Sequence, residues 1–488
     1  MKILLINTNR ETSPYPAIPI GLACVASSLV EKGFNTKVLD LCFSKGIESD
    51  TVKAIMAFKP DAIGLSIRNI DNGDYRNPRY SMPDVRKIIA FCRNESPEIP
   101  IIIGGSAVNV MPEGLLQYLQ ADIAVIGDGE LTTLRVLERL RNKKGYSDLN
   151  GIAFRENGTV RLNPPLKPLE YGFNIKGDIL RWVNVQRYVS RGGIIPIQTK
   201  RGCTFECIYC SYPLIEGTHP RLKPPELVAD EIEWIVRKSG IRDFEFVDSV
   251  FNSPTHHARR VCEEIIKRKL KVHLGAAGLN PMGCDEELFS LMKEANFRWF
   301  IFTPESGSEK MLSNLNKGFG ITELEKTALL INRFRIPAIW SFLIGGPGEN
   351  IETVSETLEF IDKHVKNPHL AYITVGLRIY PDTKLAAIAM DEGIINNQDE
   401  LIEPKFYLSK DLSETELKAK LHEFSKAHPN LIHSYETRNP IFGLASRIFY
   451  AMKIAHPYWR YAWIFKKLDC HVVCLRRTPR NDKNRVSL

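Results

Sequence analysis

Cysteine, histidine and long apolar segments are all scarce in this chain of 488 residues. Only ten residues are cysteine, and the first histidine is His219. The sequence contains no uninterrupted run of 18 apolar residues, so no membrane-spanning helix is predicted. The apolar run at the amino end is too short for a signal peptide. The chain is therefore expected to be cytoplasmic, where cysteines stay reduced.

Three of the ten cysteines form a CxxxCxxC triplet, and this cysteine triplet comprises Cys203, Cys207 and Cys210. It follows an apolar, strand-like segment over residues 194–199. Three thiolates from one loop can hold three irons of a 4Fe-4S cluster and leave the fourth iron open to a ligand. Two alternatives stay open. One is a zinc site, with His219 as the next ligand at an unusual spacing, and the other is three unrelated buried thiols.

Short apolar runs alternate with helical stretches over residues 1–150, which predicts an α/β unit with a doubly wound, Rossmann-like parallel sheet. Its predicted strands are 2–7, 36–41, 62–67, 101–103 and 123–126, with a helix over 21–32. Ligands of such sheets bind at the carboxyl ends of the strands. A connector rich in proline, with a small hairpin at its start, is predicted over residues 151–190.

A second alternation of strands and helices follows over residues 191–395. Its predicted strands lie near 194–200, 243–248, 271–277, 298–304, 337–344 and 371–378. Six such units predict a partial (β/α)6 TIM-like barrel, with functional residues at the carboxyl ends of its strands. Residues 396–488 are predicted to be mainly α-helical.

The triplet, with the aromatic Tyr209 directly before its last cysteine, resembles the signature of the radical S-adenosylmethionine superfamily. The resemblance implies the barrel fold and a 4Fe-4S cluster whose open iron binds S-adenosylmethionine. It also implies that reductive cleavage of this cofactor yields a 5'-deoxyadenosyl radical. Only three cysteines are needed for that chemistry, because a fourth would close the site.

Residues at the carboxyl ends of three barrel strands are further candidate contacts of the cofactor. Asp248 follows the second strand, and an N-terminal helix cap is its alternative role. Glu305 and Ser306 lie in TPESGS, which resembles the family's GxESGS segment with a threonine in place of the first glycine. Gly345 and Gly346 lie in GGPGE, which resembles the family's GxPGE turn, although any tight turn also needs glycine.

The α/β unit followed by this barrel resembles the cobalamin-dependent radical S-adenosylmethionine enzymes over about residues 1–395. The matching segments are PIGL at 19–22, Gly104-Gly105-Ser106, and GDGE from Gly127 to Glu130. The resemblance implies that residues 1–150 bind cobalamin. A structural Rossmann-like domain without a ligand is the alternative.

The amino-terminal unit lacks the DxHxxG motif with which many other cobalamin proteins ligate cobalt, and it contains no histidine at all. We therefore expect a base-off corrinoid whose lower face meets the loop that contains Arg68 and Asn69. A protonated guanidinium has no lone pair to give, so Arg68 would face cobalt without ligating it. A surface pair between Arg68 and Asp71 or Asp74 is the alternative.

These resemblances imply a radical enzyme that methylates an unactivated carbon of a small-molecule or lipid-like substrate, at the interface of the two units. Oxidative cyclisation or ring rearrangement on the same cofactors is one alternative. A non-catalytic corrinoid carrier or electron-transfer protein is an alternative of another class. The family resemblance also implies an external electron donor such as ferredoxin or flavodoxin.

The net charge of +8 is concentrated in residues 431–488, which hold eleven Lys or Arg and three Asp or Glu. Residues 458–467, here named the basic tail, combine aromatic and basic side chains, a pattern suited to a lipid interface. A helix packed on the barrel is the alternative. Nucleic acid is disfavoured because no binding module accompanies the charge. Cys470 and Cys474 are interpreted as ordinary thiols.

Overall fold

The computed structural model places most of the chain in two α/β units, each built on a seven-stranded sheet. The structure describes residues 1–12, 15–166, 178–397, 401–435, 448–452, 454 and 458–461. In these ranges no helix is both long and apolar enough to cross a membrane.

The first sheet has strand order β2-β1-β3-β4-β5-β6-β7 and is parallel through its first five strands. Its strands are β1 Lys2–Asn7, β2 Asn35–Asp40, β3 Ala62–Ser66, β4 Ile101–Gly104, β5 Ile123–Val125, β6 Ile152–Glu156 and β7 Thr159–Leu162. The order reverses between β1 and β3. Such a reversal opens a crevice at the carboxyl ends of the strands, which is where ligands of open α/β sheets bind.

Six helices cover the two faces of this sheet. They are α1 Ile20–Glu31, α2 Ile47–Phe58, α3 Met82–Glu95, α4 Ser106–Val110, α5 Pro112–Leu119 and α6 Gly129–Arg141. The two cores on its faces form because alternate strand residues point to opposite faces. The hairpin predicted after residue 150 is present as β6 and β7, which pair antiparallel and extend the sheet beyond β5.

Two short helices, α7 Ile179–Trp182 and α8 Val185–Val189, precede the second sheet. Its strand order is β18-β15-β14-β13-β12-β11-β8, and every neighbouring pair is parallel. These strands are β8 Ile195–Ile197, β11 Asp243–Phe246, β12 His273–Leu279, β13 Phe297–Glu305, β14 Ala338–Ile344, β15 Leu370–Val375 and β18 Leu431–His433. The two end strands β8 and β18 each have one neighbour, which makes the barrel partial.

Helices α9 to α17 follow the strands of the second sheet. They are α9 Tyr212–Glu216, α10 Pro225–Ser239, α11 Thr255–Lys267, α12 Glu286–Glu294, α13 Glu309–Asn314, α14 Ile321–Phe334, α15 Ile351–His364, α16 Lys384–Asp391 and α17 Glu414–Ala427. Two small antiparallel pairs complete the unit: β9 Lys200–Arg201 with β10 Arg221–Leu222, and β16 Leu377–Arg378 with β17 Phe406–Tyr407. A 3-10 turn spans Tyr458–Tyr461.

The predicted fold class is confirmed, and the six predicted barrel strands are all present within a few residues of their expected bounds. The seventh strand, β18, was not predicted. It comes from the carboxyl-terminal region and pairs with β15, so this region is not helical throughout. Of the basic tail, only residues 458–461 are described, and Cys470 and Cys474 lie outside the described residues.

Candidate functional site

A cavity of about 490 Å³ lies where the carboxyl ends of the first sheet face the second unit. Every residue predicted to contact cobalamin lines it: Arg68, Asn69, Gly104, Gly105, Ser106, Gly127 and Glu130. The second unit contributes a smaller set, most of it from the ends of its first strands and from the segment that follows the cysteine triplet: Gln198, Arg201, Ser211, Tyr212, Ile215, Glu216, Val247 and Tyr380. Both sets of strand ends therefore converge on one space.

Two glycines shape this cavity in different ways. Gly105 has φ +106°, and a Cβ there would lie 2.6 Å from the carbonyl oxygen of Ile67. Gly105 therefore lets the turn pack directly on the neighbouring loop. Gly127 has φ +80° and nothing within 4 Å of the position of a Cβ, so it leaves open space. The buried Nδ2 of Asn9, also in the lining, has no hydrogen-bond partner and could donate to a large polar ligand.

Arg68 is exposed and lines the cavity at the end of β3, where its side chain was predicted to meet the corrin. In the described chain no ion pair joins it to Asp71 or Asp74. Asp71 instead pairs with the buried Arg378 at 2.7 Å. The Arg68 carbonyl accepts a hydrogen bond from the Ser106 hydroxyl at 2.5 Å, which ties two of the predicted contact loops together.

Glu130, predicted from the sequence as a cobalamin contact, also takes part in a network of ion pairs. It is buried and pairs with Arg201 at 2.6 Å, and Arg201 also pairs with Asp128 at 3.0 Å. Arg221 donates to the same Asp128 carboxylate. Burial favours protonation of Asp128, but the two guanidinium groups outweigh it and hold the Asp128 pKa below its usual value. These ion pairs join the first sheet to the cysteine loop, and sequence reasoning missed both arginines.

The cysteine triplet lies on a loop whose backbone is held by hydrogen bonds and by one close approach between two backbone segments. The Cys203 N–H donates to the carbonyl of Gly217 at 3.1 Å, and the Cys210 N–H donates to the carbonyl of Cys207 at 3.1 Å. Gly202 has φ +97°, and a Cβ there would lie 2.3 Å from the His219 carbonyl oxygen. Only glycine fits this close approach, which closes the loop on itself.

Burial raises the pKa of the Cys210 thiol to about 12 and also raises that of Cys203. A metal has to stabilise such thiolates, since solvent does not. Among the described residues, no group of three or more His, Cys, Asp or Glu is placed to hold a metal ion. The three thiolates of a 4Fe-4S cluster lie farther apart than the ligands of a single metal ion, because each thiolate contacts a different iron.

Asp248 is fully buried, and its carboxylate holds the segment that leads into this loop. It accepts hydrogen bonds from the Thr199 N–H at 2.7 Å, the Thr199 hydroxyl at 2.6 Å and the Lys200 N–H at 3.2 Å. The Lys200 ammonium lies 3.7 Å away. The structure therefore gives Asp248 a set of partners different from both sequence-based interpretations, and a cofactor contact for it stays a prediction.

Glu305 lies at the end of β13 with φ +68°, a strained conformation for a residue other than glycine. Its Oε1 lies 3.8 Å from the buried Lys317 ammonium, which donates to the Tyr209 hydroxyl at 3.0 Å. Its Oε2 is buried without a hydrogen-bond partner. An orphaned carboxylate oxygen beside the cysteine triplet suits a ligand that brings hydroxyl donors, as the ribose of S-adenosylmethionine does. No sequence motif pointed to Lys317.

The remaining predicted residues form turns beside Glu305. The Ser306 hydroxyl is buried against the Thr357 hydroxyl at 3.0 Å. Gly345 has φ +108°, and a Cβ there would lie 2.6 Å from Leu408. The N–H groups of Gly345 and Gly346 both donate to the buried Glu349 carboxylate. Ser306 and the two glycines thus hold the backbone of the strand ends, and direct cofactor contacts by them stay predictions.

Comparisons with known proteins agree with this arrangement. Residues 6–137 match the B12 binding domain family, and residues 197–361 match the Radical SAM superfamily. An uncharacterized methyltransferase of Pyrococcus horikoshii is 26% identical over 405 residues, 81% of this chain and 84% of the relative. An anaerobic magnesium-protoporphyrin IX monomethyl ester cyclase of Synechocystis is 25% identical over 65% of this chain and 64% of the relative.

Among solved structures, the radical S-adenosylmethionine methyltransferase TsrM from Kitasatospora setae, with cobalamin and a 4Fe-4S cluster bound, superposes with a TM-score of 0.83. The identity is 21%, and the match covers 97% of this chain and 99% of that one, which establishes the shared fold. The first unit is thus the cobalamin-binding domain, and the second unit binds the cluster and S-adenosylmethionine. The chain therefore combines a B12 binding domain with a Radical SAM domain, which is the architecture of the cobalamin-dependent radical S-adenosylmethionine enzymes.

Proposed function

We propose that this enzyme transfers a methyl group to an unactivated carbon of a small-molecule or lipid-like substrate. One observation carries the proposal: the interface cavity is lined both by the predicted corrin-binding loops and by Ser211 and Tyr212, which directly follow Cys210. A substrate bound there would lie between the loops that would hold the two cofactors. The cluster and S-adenosylmethionine supply one-electron chemistry at carbon, and the corrinoid carries the methyl group.

The residues of the chain hold the two halves of this site together. Arg201 binds Glu130 and Asp128 across the interface, and Arg378 binds Asp71 farther along it. Both arginines are largely buried, so their ion pairs resist competition from water. Fixed domain positions favour transfer, because a misplacement of about 1 Å costs roughly 100-fold in rate.

The test uses anaerobically reconstituted enzyme, S-adenosylmethionine with an isotopically labelled methyl group, a chemical reductant and an extract of the host. We expect the label to appear on carbon in one small-molecule or lipid fraction. The Cys203→Ala variant should give no such product. Label found only on oxygen or nitrogen, or product formation that persists in Cys203→Ala, would contradict the proposal.

A second candidate is oxidative cyclisation or ring rearrangement on the same cofactors. It is favoured by the likeness to the named cyclase, which extends over 65% of this chain. The same labelling experiment separates the two candidates. A cyclase yields an unlabelled product with the loss of substrate hydrogens, whereas a methyltransferase yields a labelled one. A non-catalytic corrinoid carrier or electron-transfer protein is disfavoured because residues 197–361 match the Radical SAM superfamily.

Three further expectations concern partners and location. Reduction of the cluster requires an external electron donor such as ferredoxin or flavodoxin, which is proposed from the family resemblance. A cytoplasmic location, with peripheral membrane contact through the basic tail, is also proposed. Nucleic acid is not expected among its partners.

A further inference from the structure

The interface cavity extends into the first unit, below the carboxyl ends of its strands. Leu5, Gly64 and Ile102 line it, and each lies two residues before the last residue of its strand. Alternate residues of a strand share a face, and Leu5, Ile102 and Val125 belong to the core between the sheet and helices α1 and α6. Gly64 lies beside Leu5, whose side chain would be 2.7 Å from a Cβ at this position. This extension of the cavity is here named the apolar arm.

Helices α1 and α6 form the opposite wall of the apolar arm. Helix α1 contributes Leu22 and Val25, and α6 contributes Gly129 and Thr133. A Cβ on Gly129 would lie 3.0 Å from the side chain of Val25, so glycine keeps the two helices from closing the space. The arm is therefore a space between the sheet and two helices, open toward the strand ends.

The chemistry of the apolar arm differs from that of the rest of the cavity. Among the described residues of its walls no side chain is charged, and the Thr133 hydroxyl is the one polar group. The charged residues of the cavity that belong to the first unit, such as Arg68, Asp128 and Glu130, follow the ends of strands. A polar group that is buried without a hydrogen bond is costly, so the arm favours an apolar ligand group with few donors and acceptors.

The corrinoid has one part that suits such an arm. Cobalamin carries a dimethylbenzimidazole base on its nucleotide tail, and the base-off state expected here releases that base from cobalt. The released base is planar and mostly apolar. The predicted corrin-binding turns lie at the mouth of the arm, because Gly104 and Gly127 closely follow Ile102 and Val125 in the chain. A base released from cobalt can thus reach the arm from a corrin bound at these turns.

We infer that the apolar arm selects corrinoids by the chemistry of this base, with a benzimidazole preferred over a purine. Dimethylbenzimidazole has one free ring nitrogen, to which the Thr133 hydroxyl can donate, and two methyl groups whose burial is favourable. Adenine, the base of pseudocobalamin, has an amino group and additional ring nitrogens. The described walls of the arm offer no further side-chain partner for them. This selectivity concerns the cofactor and does not depend on which reaction the enzyme catalyses.

The test measures the binding of cobalamin, pseudocobalamin and cobinamide, which lacks the nucleotide. Full-length protein with its cluster reconstituted and no corrinoid bound is dialysed anaerobically to equilibrium against each corrinoid in the cob(I) state. This state has no axial ligand, so no base has to leave cobalt on binding. Cobalamin should bind at least about 10-fold more tightly than pseudocobalamin, because a buried donor or acceptor without a partner costs about that factor. It should also bind at least about 10-fold more tightly than cobinamide, as expected for the burial of an aromatic group.

Substitutions of Val25 change the arm in two ways. Val25→Asn adds an amide that can pair with adenine, and it should bring the ratio of the dissociation constants for pseudocobalamin and cobalamin close to one. Val25→Phe fills the arm, and it should weaken cobalamin binding about 10-fold or more while it leaves cobinamide binding unchanged. Val30 lies in the same helix, partly exposed and outside the described lining of the cavity. The matched controls Val30→Asn and Val30→Phe should therefore leave all three affinities unchanged.

The affinity for cobinamide shows that a variant is folded. If Val25→Phe does not bind cobinamide as wild type does, Gly129→Ala decides, because its Cβ narrows the arm beside Val25 and should weaken the binding of cobalamin but not that of cobinamide.

Equal affinities of wild type for cobalamin and pseudocobalamin, or for cobalamin and cobinamide, would overturn the inference. A ratio that Val25→Asn leaves unchanged, in protein that binds cobinamide normally, would overturn it as well. The measurement involves no turnover, so it succeeds or fails independently of methyl transfer. If labelled product forms but the two bases are not distinguished, the inference alone is wrong. If the bases are distinguished but no label is transferred, the proposed function is wrong and the selectivity of the arm stands.

Discussion

Glu349 gives the Gly345–Gly346 turn a stability that should depend on pH. The residue is fully buried, its Oε2 accepts the Gly346 N–H at 3.0 Å, and its Oε1 has no hydrogen-bond partner. Burial raises its pKa from the usual 4.5 to about 7, although the two glycine N–H groups oppose the shift. The native turn therefore binds the proton more tightly than the unfolded chain does.

The sign and size of the effect follow from that difference. Below pH 4.5 the carboxyl is protonated in both states, and the turn has its full stability. As the pH rises from 4.5 to 7, only the unfolded state ionises freely, so stability is lost. A shift of about 2.5 pKa units corresponds to about 3 kcal/mol, or roughly 100-fold or more in the opening equilibrium. Above pH 7 no further loss is expected.

Hydrogen exchange of peptides that cover residues 345–349 measures this opening, after correction for the intrinsic pH dependence of exchange. Wild-type protection should fall between pH 4.5 and pH 7 and then level off, while Glu349→Gln, which cannot ionise, should show a nearly flat profile. Glu352→Gln, an exposed change in the first turn of α15, should behave as wild type does. An equal pH slope in wild type and Glu349→Gln would refute the reasoning.

Three further predictions concern the cofactors and the tail. Alanine at any position of the cysteine triplet should abolish reductive cleavage of S-adenosylmethionine, while Cys470→Ala should not, and a reduced 4Fe-4S paramagnetic resonance signal in the triple variant would contradict the cluster assignment. Bound cob(II)alamin should show no superhyperfine coupling from an axial nitrogen, and Arg68→His should introduce that coupling; an unchanged spectrum with full loading would remove Arg68 from beneath cobalt. If the basic tail binds lipid, the protein should sediment with anionic liposomes at low salt and dissociate as ionic strength rises, and indifference to liposomes would favour packing on the barrel.

Local patterns in the sequence were enough to predict the fold class and the loop that contains the cysteine triplet. The alternation of apolar runs with helical stretches predicted both sheets, because strand and helix periodicities are properties of neighbouring residues. The spacing of the cysteine triplet and the glycine turns at the strand ends are local in the same sense. Strand β18 was missed because Leu431–His433 is only three residues long and gains its strand conformation from pairing with β15.

The partners of the polar side chains were decided by tertiary structure. Asp248 had two sequence-based interpretations, yet its carboxylate holds Thr199 and Lys200, about 50 positions earlier. Lys317 carried no sequence signal, because only the fold brings it beside Tyr209. Tyr15 and Glu245 are 230 residues apart and meet only where the two units join. Residue type determines what a side chain can donate or accept, but which donor meets which acceptor depends on the packing of elements that are distant in the chain.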